Sequence, residues 1–500
     1  MGQLDRRQFL VGTAGGVFCA STGRCPVRSD GFLRLPAEPA GVSRRALREL
    51  RVAVRGRVFV PHGSASLVYN TRFDGRRPDA VVQVRDTADV AAAVRWANRF
   101  DVRLVARSGG HSYGGWSSTD DGVVLDLSRL RGIRVSGGRA TVGPAAKLID
   151  VQRALTRRGV TVPAGSCPTV GIGGLALGGG HGLAGRRFGL TSDNLLAARI
   201  VTADGRVRHV DANTHEELYW ACRGGGGGNF GVVTALTLKT HRATRAAFFF
   251  VSWPWSQAGE AIAAWQRFAP AAPPQLTSIL SLGTTGGSGS PRVAALGQYF
   301  GGVSALRRLV RPLTRVAGAQ LSTGSSGYFE MVLRWAGCLD GGLPACHRST
   351  RSSFYAKSDY FDRPVGPRGR AKMIDWIERR QRTPSLGSGA LLLDAYGGAL
   401  NRPAPDATAF VHRDMLFSLQ YLAYFNGSAA GRASRRWING TWHALRPHVS
   451  GEAYQNYIDP DLDRWQRAYY GSNLARLREL KKQVDPEFRF RFPQAIPPAR

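Results

Sequence analysis

The sequence predicts an α+β protein with more than one domain. Its 500 residues are too many for one compact core. Residues 80–106 show a β-α-β pattern, in which two short apolar stretches flank a segment with helical spacing at 86–100. Beyond residue 246, apolar strands alternate with helical stretches, which indicates an antiparallel sheet with helices on one face.

The other elements follow from the same periodicities. In the first half we predict strands at 123–127 and 139–143, a helix at 147–159 and a hairpin at 195–210 that turns at Asp204-Gly205. In the second half we predict strands and helices by their spacing. The strands are 248–255, 277–283, 292–300, 352–361, 388–397, 415–425 and 454–459, and the helices are 257–269, 303–317, 368–381, 428–446 and 465–484.

Three glycine-rich loops interrupt the first half. The first is Arg-Ser-Gly-Gly-His-Ser at 107–112, the second covers 163–182, and the third contains the glycines 224–228. Each of the first two places a nucleophile, His111 or Cys167, beside bare backbone whose N–H groups can approach a pyrophosphate. None of the loops has the Gly-x-Gly-x-x-Gly spacing between a strand and a helix, as a Rossmann nicotinamide site would show.

Charge and composition exclude two further classes of site. The net charge of +33 comes almost entirely from scattered arginines, so we predict no nucleic-acid partner. His111, Cys167 and His181 have irregular spacing and no Cys-x-x-Cys pair accompanies them, so we predict no metal site.

The N-terminus has the order of an export signal. Arg6-Arg7 precedes Phe9-Leu10 and a short, glycine-rich apolar run, which is typical of a twin-arginine signal. The alternative is a cytosolic tail that contains two arginines by chance. We predict a signal at 1–30, a linker at 31–45 and an extracellular or periplasmic protein, with no stable membrane insertion because the apolar run is short.

The order of the motifs resembles one enzyme family. Arg-Ser-Gly-Gly-His-Ser at 107–112 is followed by Gly-Ser-Cys-Pro-Thr-Val-Gly-Ile-Gly-Gly at 165–174 and Leu-Gly-Gly-Gly-His-Gly at 177–182, and the C-terminal part adds Asn-Tyr-Ile-Asp-Pro at 456–460. This order is similar to that of the berberine-bridge-enzyme-like family, a branch of the PCMH-type or vanillyl-alcohol-oxidase flavoproteins. The resemblance extends over most of the chain beyond the signal.

The resemblance implies a fold and a cofactor. It implies a PCMH-type FAD-binding domain at 46–245, a substrate domain with an antiparallel sheet and helices at 246–449, and a segment at 450–497 that returns to the first domain. FAD would be linked through both His111 and Cys167. The cofactor-binding residues carried over are Arg107, Ser108, Gly109, Gly110, His111, Ser112, Gly165, Ser166, Cys167, Val170, Gly171, Gly173, Gly174, Gly178, Gly179, Gly180, His181, Gly182, Gly231, Val232, Val233 and Asn456.

The resemblance also implies a reaction. A base removes a proton from an alcohol or carbohydrate, a hydride passes to FAD, and O2 accepts the electrons to give H2O2. The candidate catalytic residues are Gln420, Tyr454 and Tyr457, and the sequence leaves open which tyrosine is the base. Val170 matches a position that governs oxygen access and favours an oxidase. A tailoring oxidase or dehydrogenase of secondary metabolism, and an exported binding protein without catalysis, are the alternatives.

Three expectations concern the remaining cysteines and the assembly. An exported protein favours a disulfide between Cys338 and Cys346, which are separated by a short glycine-rich loop. Cys222 is expected to be a buried thiol. We expect a monomer that acts on a small molecule.

Overall fold

The computed structural model of the protein describes residues 41–61, 68–285, 289–348 and 350–500. The predicted export signal and most of the predicted linker lie outside these residues. The strands are β1 Arg57–Phe59, β2 Ala80–Gln83, β3 Leu104–Arg107, β4 Val123–Asp126, β5 Ile133–Ser136, β6 Arg139–Val142, β7 Val160–Thr161, β8 Leu195–Val201, β9 Val207–Asp211, β10 Val232–Lys239, β11 His241–Arg242, β12 Ala246–Trp253, β13 Leu276–Gly283, β14 Arg292–Tyr299, β15 Gln320–Ser326, β16 Ser353–Phe361, β17 Gly389–Ala395 and β18 Phe417–Phe425. The α-helices are α1 Arg44–Ala53, α2 Thr87–Phe100, α3 Leu148–Thr156, α4 Ile172–Leu177, α5 Gly185–Phe188, α6 Glu216–Ala221, α7 Ala258–Ala271, α8 Val303–Leu309, α9 Arg311–Thr314, α10 Tyr328–Trp335, α11 Gly342–His347, α12 Pro367–Gln381, α13 Ser428–Leu445, α14 Trp465–Tyr470 and α15 Leu474–Val484.

The first sheet leads the chain into the His111 loop. Its strand order is β1-β2-β4-β3, and β4 runs parallel to both β2 and β3. Helix α2 connects β2 to β3, as the β-α-β pattern predicted. It begins after Asp86, whose side chain accepts hydrogen bonds from the N–H groups of Ala88 and Asp89. The His111 loop starts where β3 ends.

The second sheet supports the two other glycine-rich loops. It has the antiparallel order β5-β6-β10-β8-β9, and β8 and β9 form the predicted hairpin. Gly205 lies in the turn with φ of +71°, a conformation that suits glycine. Helices α3 and α4 share one apolar core with this sheet, and the Cys167 loop lies between those two helices. The loop is therefore fixed on both sides by packed helices.

The third sheet separates a hydrophobic core from a cavity. Its seven strands are antiparallel in the order β15-β12-β14-β13-β17-β18-β16. Helices α7, α12 and α13 cover one face, where Leu280, Leu393 and Leu419 are buried. Alternation places Ser281, Asp394 and Gln420 on the opposite face, which lines the cavity described below. The predicted α+β class, with an antiparallel second sheet and helices on one face, is confirmed.

Two long helices predicted from the sequence are each interrupted. The predicted helix at 303–317 is two helices, because Pro312 cannot donate a backbone hydrogen bond and the chain restarts at Arg311. The predicted helix at 465–484 is broken at Gly471, where φ is +46°, so that α14 and α15 are separate. Strand β15 and the helices α10 and α11 were not predicted.

The predicted strand at 454–459 is wrong. These residues form a loop in which the Tyr457 N–H donates to the Tyr454 carbonyl over 2.8 Å. A turn of this kind contains no alternation of faces, so the directions of Tyr454, Asn456 and Tyr457 do not follow from a strand pattern. The boundaries proposed for the domains at 46–245, 246–449 and 450–497 stay a prediction.

Cys338 and Cys346 form the expected disulfide, with their Cα atoms 5.4 Å apart. Both are buried against Ile149 of α3, in a small core formed by α10 and α11. Cys222 is buried in the core of the second sheet, as expected.

Candidate cofactor and active site

One cavity is lined by residues of all three glycine-rich loops and of the third sheet. Its volume is about 360 Å³. Most of the residues carried over from the family resemblance line it. They are Ser108, Gly109, Gly110, His111, Ser112, Gly165, Ser166, Cys167, Val170, Gly171, Gly173, Gly174, His181, Gly182, Gly231, Val232, Val233, Gln420, Tyr454, Asn456 and Tyr457.

Four predicted cofactor residues lie behind the cavity wall. Arg107 is buried and its guanidinium lies 3.0 Å from the Asp126 carboxylate, so it stabilises the start of the His111 loop. The glycines at 178–180 pack behind the tyrosines. A Cβ at Gly178 would clash with the Asn456 side chain, and the Gly180 N–H donates to the Tyr454 hydroxyl over 2.7 Å.

The middle of the cavity is walled by bare backbone. A Cβ added to Gly109 would clash with the backbone of Gly171, so these two loops pack directly on each other. A Cβ at Gly174 would meet no atom within 4 Å, and the nearest atom to one at Gly227 would be the Gly174 Cα at 3.7 Å. Open backbone at this place lets peptide N–H groups approach an anionic ligand.

His111 is held as a neutral imidazole. Its Nε2 lies 3.0 Å from the Thr169 hydroxyl, and its ring stacks on Tyr69 with centroids 4.0 Å apart. Burial, together with the positive charge of Lys147, lowers the pKa of His111 to about 3. The side chain of Cys167 is exposed towards the same cavity. Two nucleophiles therefore face one ligand space.

His181 is the third polar group of the glycine-rich wall. Burial lowers its pKa, so that this imidazole is also neutral. Its Nε2 is buried and finds no hydrogen-bond partner in the described part of the chain. A buried nitrogen without a partner is costly, which indicates that a bound molecule completes this contact.

The two candidate tyrosines have different surroundings. The Tyr454 hydroxyl accepts hydrogen bonds from the Gly180 N–H and from Asn456 Nδ2, the latter over 2.9 Å. Burial raises the pKa of Tyr454 to about 12 in spite of these donors. Tyr457 stacks on Tyr113 with centroids 5.3 Å apart, and no hydrogen bond to its hydroxyl comes from any described residue. Burial, followed by the influence of Tyr113 and Asp394, raises the pKa of Tyr457 well above 10.

Gln420 reaches the site through a residue that we did not predict. Its Nε2 donates to the Tyr113 hydroxyl over 2.8 Å, and Tyr113 in turn stacks on Tyr457. Tyr113 directly follows the motif at 107–112, so its position next to that motif was a usable signal.

Asp394 was also missed. It is the only Asp or Glu lining the cavity among the described residues. The signal was a single carboxylate in the otherwise apolar strand β17, which we predicted only as a strand. The remaining cavity residues that were not predicted include Tyr69, Phe354, Leu392, Tyr424, Gln455, Arg491 and Phe492.

Two other kinds of feature are absent from the described residues. Within the described ranges, no group of three or more His, Cys, Asp or Glu side chains is placed to hold a metal ion. None of the helices in the same ranges has the length and apolarity needed to cross a bilayer.

Comparison with known proteins identifies the family. A model of an FAD binding domain matches residues 78–211, and the model named "Berberine and berberine like" matches 453–497. An uncharacterised FAD-linked oxidoreductase of Bacillus subtilis (strain 168) is 33% identical over 431 residues, which cover 85% of this chain and 92% of the relative. The chain belongs to the berberine-bridge-enzyme-like family. It is an FAD-dependent oxidoreductase.

Other members of the berberine-bridge-enzyme-like family extend this result. A chitooligosaccharide oxidase of Gibberella zeae is 30% identical over 452 residues, covering 86% of this chain and 89% of the relative. The solved structure of BBE-like 1 from Physcomitrella patens is 30% identical with a TM-score of 0.84, and the match covers 91% of this chain and 99% of that one. The predicted family is confirmed, and with it the PCMH-type FAD-binding fold.

The cavity fits the FAD of this family. The bare backbone of Gly174 and Gly227 suits the diphosphate, since any side chain there would point into the cavity. The buried Nε2 of His181 offers one unused polar contact. His111 and Cys167 would hold the ring system, near the tyrosines and the third sheet.

Proposed function

We propose that the protein is an oxidase in which FAD is bound covalently through both His111 and Cys167. The overall reaction converts a substrate CH–OH group and O2 into a carbonyl group and H2O2, so that two electrons and two protons leave the alcohol. When bound, FAD accepts the hydride and returns both electrons to O2. The observation that carries the proposal is the meeting of two nucleophiles, a tyrosine and a carboxylate around one cavity.

The state of His111 supports the covalent link. A protonated imidazole cannot act as a nucleophile, and burial lowers the pKa of His111 to about 3, so this ring is neutral at neutral pH. The Thr169 contact occupies Nε2 and leaves Nδ1 as the nitrogen for attachment. Cys167 is exposed to the cavity, so its sulfur can reach a bound ring.

Tyr457 and Asp394 are the pair that would remove the substrate proton. The protein raises the pKa of Tyr457, so this phenol is neutral and must lose its own proton as it accepts another. Asp394 interacts electrostatically with Tyr457 and places the oxygens of a carboxyl group in the same cavity. The substrate proton would pass to the Tyr457 oxygen while the Tyr457 proton passes to Asp394 through a substrate hydroxyl or a water molecule in the cavity, since no direct hydrogen bond joins these two described side chains. Tyr454, whose hydroxyl already accepts two hydrogen bonds, would position the loop.

The cavity wall favours a carbohydrate hydroxyl as the substrate group. Tyr69, Phe354 and Tyr424 offer aromatic surfaces next to the polar groups of Asp394 and Gln420. Flat sugar faces pack on aromatic rings while their hydroxyls need polar partners, so this mixture suits a sugar. The similarity to a chitooligosaccharide oxidase supports the same proposal.

Val170 supports O2 as the electron acceptor. It lines the cavity three residues beyond Cys167, where its small side chain leaves room beside the ring system. We expect Val170→Leu to slow reoxidation by O2 in stopped-flow measurements and to leave the reduction step unchanged. Equal slowing of both steps would contradict this role.

Export by the twin-arginine route, and action as a monomer, are further parts of the proposal. Arg6-Arg7 and the apolar run that follows support export. Replacing both arginines with lysine should retain the protein in the cytoplasm, and secretion of the variant would refute the route. Light scattering of the purified protein should give the mass of one chain.

One experiment tests the oxidase proposal directly. The purified protein should be yellow, should keep its flavin after acid precipitation, and should consume O2 and release equal amounts of H2O2 with one of a panel of sugars and small alcohols. Reduction of the flavin without O2 consumption would show a dehydrogenase instead. The double variant His111→Ala, Cys167→Ala should release its flavin in acid, and each single variant should keep one link. Flavin that stays attached in the double variant would refute the assignment.

A further inference from the structure

The C-terminal segment contributes to the cofactor cavity at a second place, far from the tyrosines in sequence. Phe490, Arg491 and Phe492 line the cavity together with Trp116 and residues of the first sheet. We call residues 485–496 the C-terminal strap. Phe490 packs in the apolar core of the first sheet, and the Phe492 ring lies 5.0 Å from that of Trp116.

Arg491 brings a positive charge to this cavity. Among the described residues that line it, Arg491 is the only Arg or Lys. It is half-buried, and no described side chain or carbonyl forms a hydrogen bond or ion pair with its guanidinium. The neighbouring Arg489 contrasts with it, because Arg489 pairs with both Asp101 and Glu487 on the surface.

Buried polar contacts fix the strap on both sides of Arg491. On one side the Asp485 carboxylate accepts from the N–H groups of Arg489 and Phe490, and Lys481 donates to the Phe490 carbonyl over 2.9 Å. The Lys481–Asp485 pair is fully buried, at 2.7 Å. An ion pair removed from water in this way is expensive, so its use to hold backbone groups indicates that the position of the strap matters.

The far side of the strap is fixed to the third glycine-rich loop. The Ile496 N–H donates to the side chain of Asn229, which directly follows glycines 224–228, over 2.9 Å. A Cβ on Gly228 would lie 3.6 Å from the Phe492 ring. Arg491 therefore follows a residue packed in the core of the first sheet and precedes one that lies beside the third glycine-rich loop.

We propose that Arg491 binds the diphosphate of FAD, so that the strap closes the nucleotide end of the cavity. The diphosphate is the anionic part of the cofactor, and a guanidinium binds two phosphate oxygens at once. A half-buried cation without a protein partner is stabilised by such an anion. The proposal rests on the binding of FAD by this family and is independent of the oxidase reaction.

Equilibrium binding tests the proposal without any turnover. The double variant His111→Ala, Cys167→Ala, freed of flavin, removes the covalent links, and FAD, riboflavin, ADP and adenosine are titrated into it by calorimetry. Adding Arg491→Gln should weaken the binding of FAD and of ADP about 10-fold to 100-fold, as expected for the loss of hydrogen bonds to a charged group. Riboflavin and adenosine, which have no phosphate, should change less than about twofold. Arg491→Lys should be intermediate, because lysine keeps the charge and loses the paired geometry.

Arg489→Gln is the matched control, since it removes a cation from the same strap outside the cavity. It should leave all four affinities unchanged. Thermal unfolding of each flavin-free variant checks that the strap remains folded. An equal loss of riboflavin and FAD affinity, a similar effect of Arg489→Gln, or full FAD affinity in Arg491→Gln would each overturn the proposal. Failure of the oxidase proposal would leave these results unaffected.

Discussion

Two single-oxygen substitutions separate the proposed proton acceptor from its neighbour. Tyr457→Phe removes a hydroxyl that faces the cavity and takes part in no hydrogen bond with the described residues. The stability of the protein should therefore change by less than about 0.5 kcal/mol. The rate of flavin reduction by substrate should fall by about 10²-fold to 10⁴-fold, the usual effect of losing a positioned acid–base group.

Tyr454→Phe should lower the stability of the protein more than Tyr457→Phe and the rate of flavin reduction less. The change leaves the buried N–H of Gly180 without its acceptor, whereas Asn456 Nδ2 keeps its bond to the Leu175 carbonyl at 2.9 Å. One unsatisfied buried donor costs about 1–3 kcal/mol. Each kcal/mol of lost stability lowers the melting temperature of a domain of 150–250 residues by about 2–4 °C. The rate of flavin reduction should fall much less than in Tyr457→Phe.

Anaerobic stopped-flow reduction and urea unfolding measure the two effects separately. Tyr469→Phe is the control for stability, because its hydroxyl accepts from the Asp459 N–H over 2.9 Å in the same segment but outside the cavity. Tyr469→Phe should lower the free energy of unfolding as much as Tyr454→Phe does, and the rate of flavin reduction should stay near that of the wild type. A Tyr457→Phe enzyme that reduces flavin within about fivefold of the wild-type rate would refute the reasoning, since acid–base catalysis is worth more than that.

Three further predictions concern the thiols, pH and the disulfide. In flavin-free protein at pH 8, iodoacetamide should alkylate the exposed Cys167 and leave Cys222 unmodified, because burial raises the pKa of Cys222 to about 12; peptide mapping that finds Cys222 labelled in folded protein would contradict its burial. Burial lowers the pKa of His111 to about 3, so below pH 6.5 the unfolded chain binds a proton that the folded chain does not. As the pH falls from 6.5 to 3, the free energy of unfolding of the flavin-free protein should therefore decrease by up to about 1.4 kcal/mol per pH unit. In urea unfolding, the free energy of unfolding of the His111→Gln variant should decrease less over the same pH range than that of the wild type. An identical pH dependence in the two proteins would argue against a buried neutral ring. Removing the disulfide by Cys338→Ser with Cys346→Ser should lower the free energy of unfolding by about 2.5 kcal/mol, because the loop that it closes is short, and the flavin should stay bound. Release of flavin would show that the disulfide also supports the cofactor site.

The sequence was informative wherever one segment determines its own structure. The helix at 86–100 and the hairpin at Asp204-Gly205 agree with the structure within a few residues, because periodicity and turn chemistry are local. The break at Gly471 was not predicted, since its φ of +46° depends on the packing of the residues around it. The loop at 454–459 contains aromatic residues typical of strands, and only its contacts with other segments show that it is a turn.

The candidate site divides in the same way. His111 and Cys167 could be found because each lies in a motif that carries its own signal. Asp394 and Arg491 lie almost 100 residues apart, in a strand and in a C-terminal extension, and each looks ordinary in its own segment. The roles that we propose for them depend on the face that a strand presents and on where the chain returns, and both of these are tertiary properties.

The third sheet explains how one scaffold can bind a particular substrate. On β17 and β18, Leu391 and Leu419 fill the core below the sheet, while Leu392 and Leu422 line the cavity above it. A substitution at Leu391 or Leu419 leaves a void in a closely packed interior and costs about 2–5 kcal/mol. A substitution at Leu392 or Leu422 changes the shape of the cavity and leaves the core intact. The glycine-rich loops that we propose to hold FAD come from other sheets, so substrate preference can change through this face while the cofactor site stays constant.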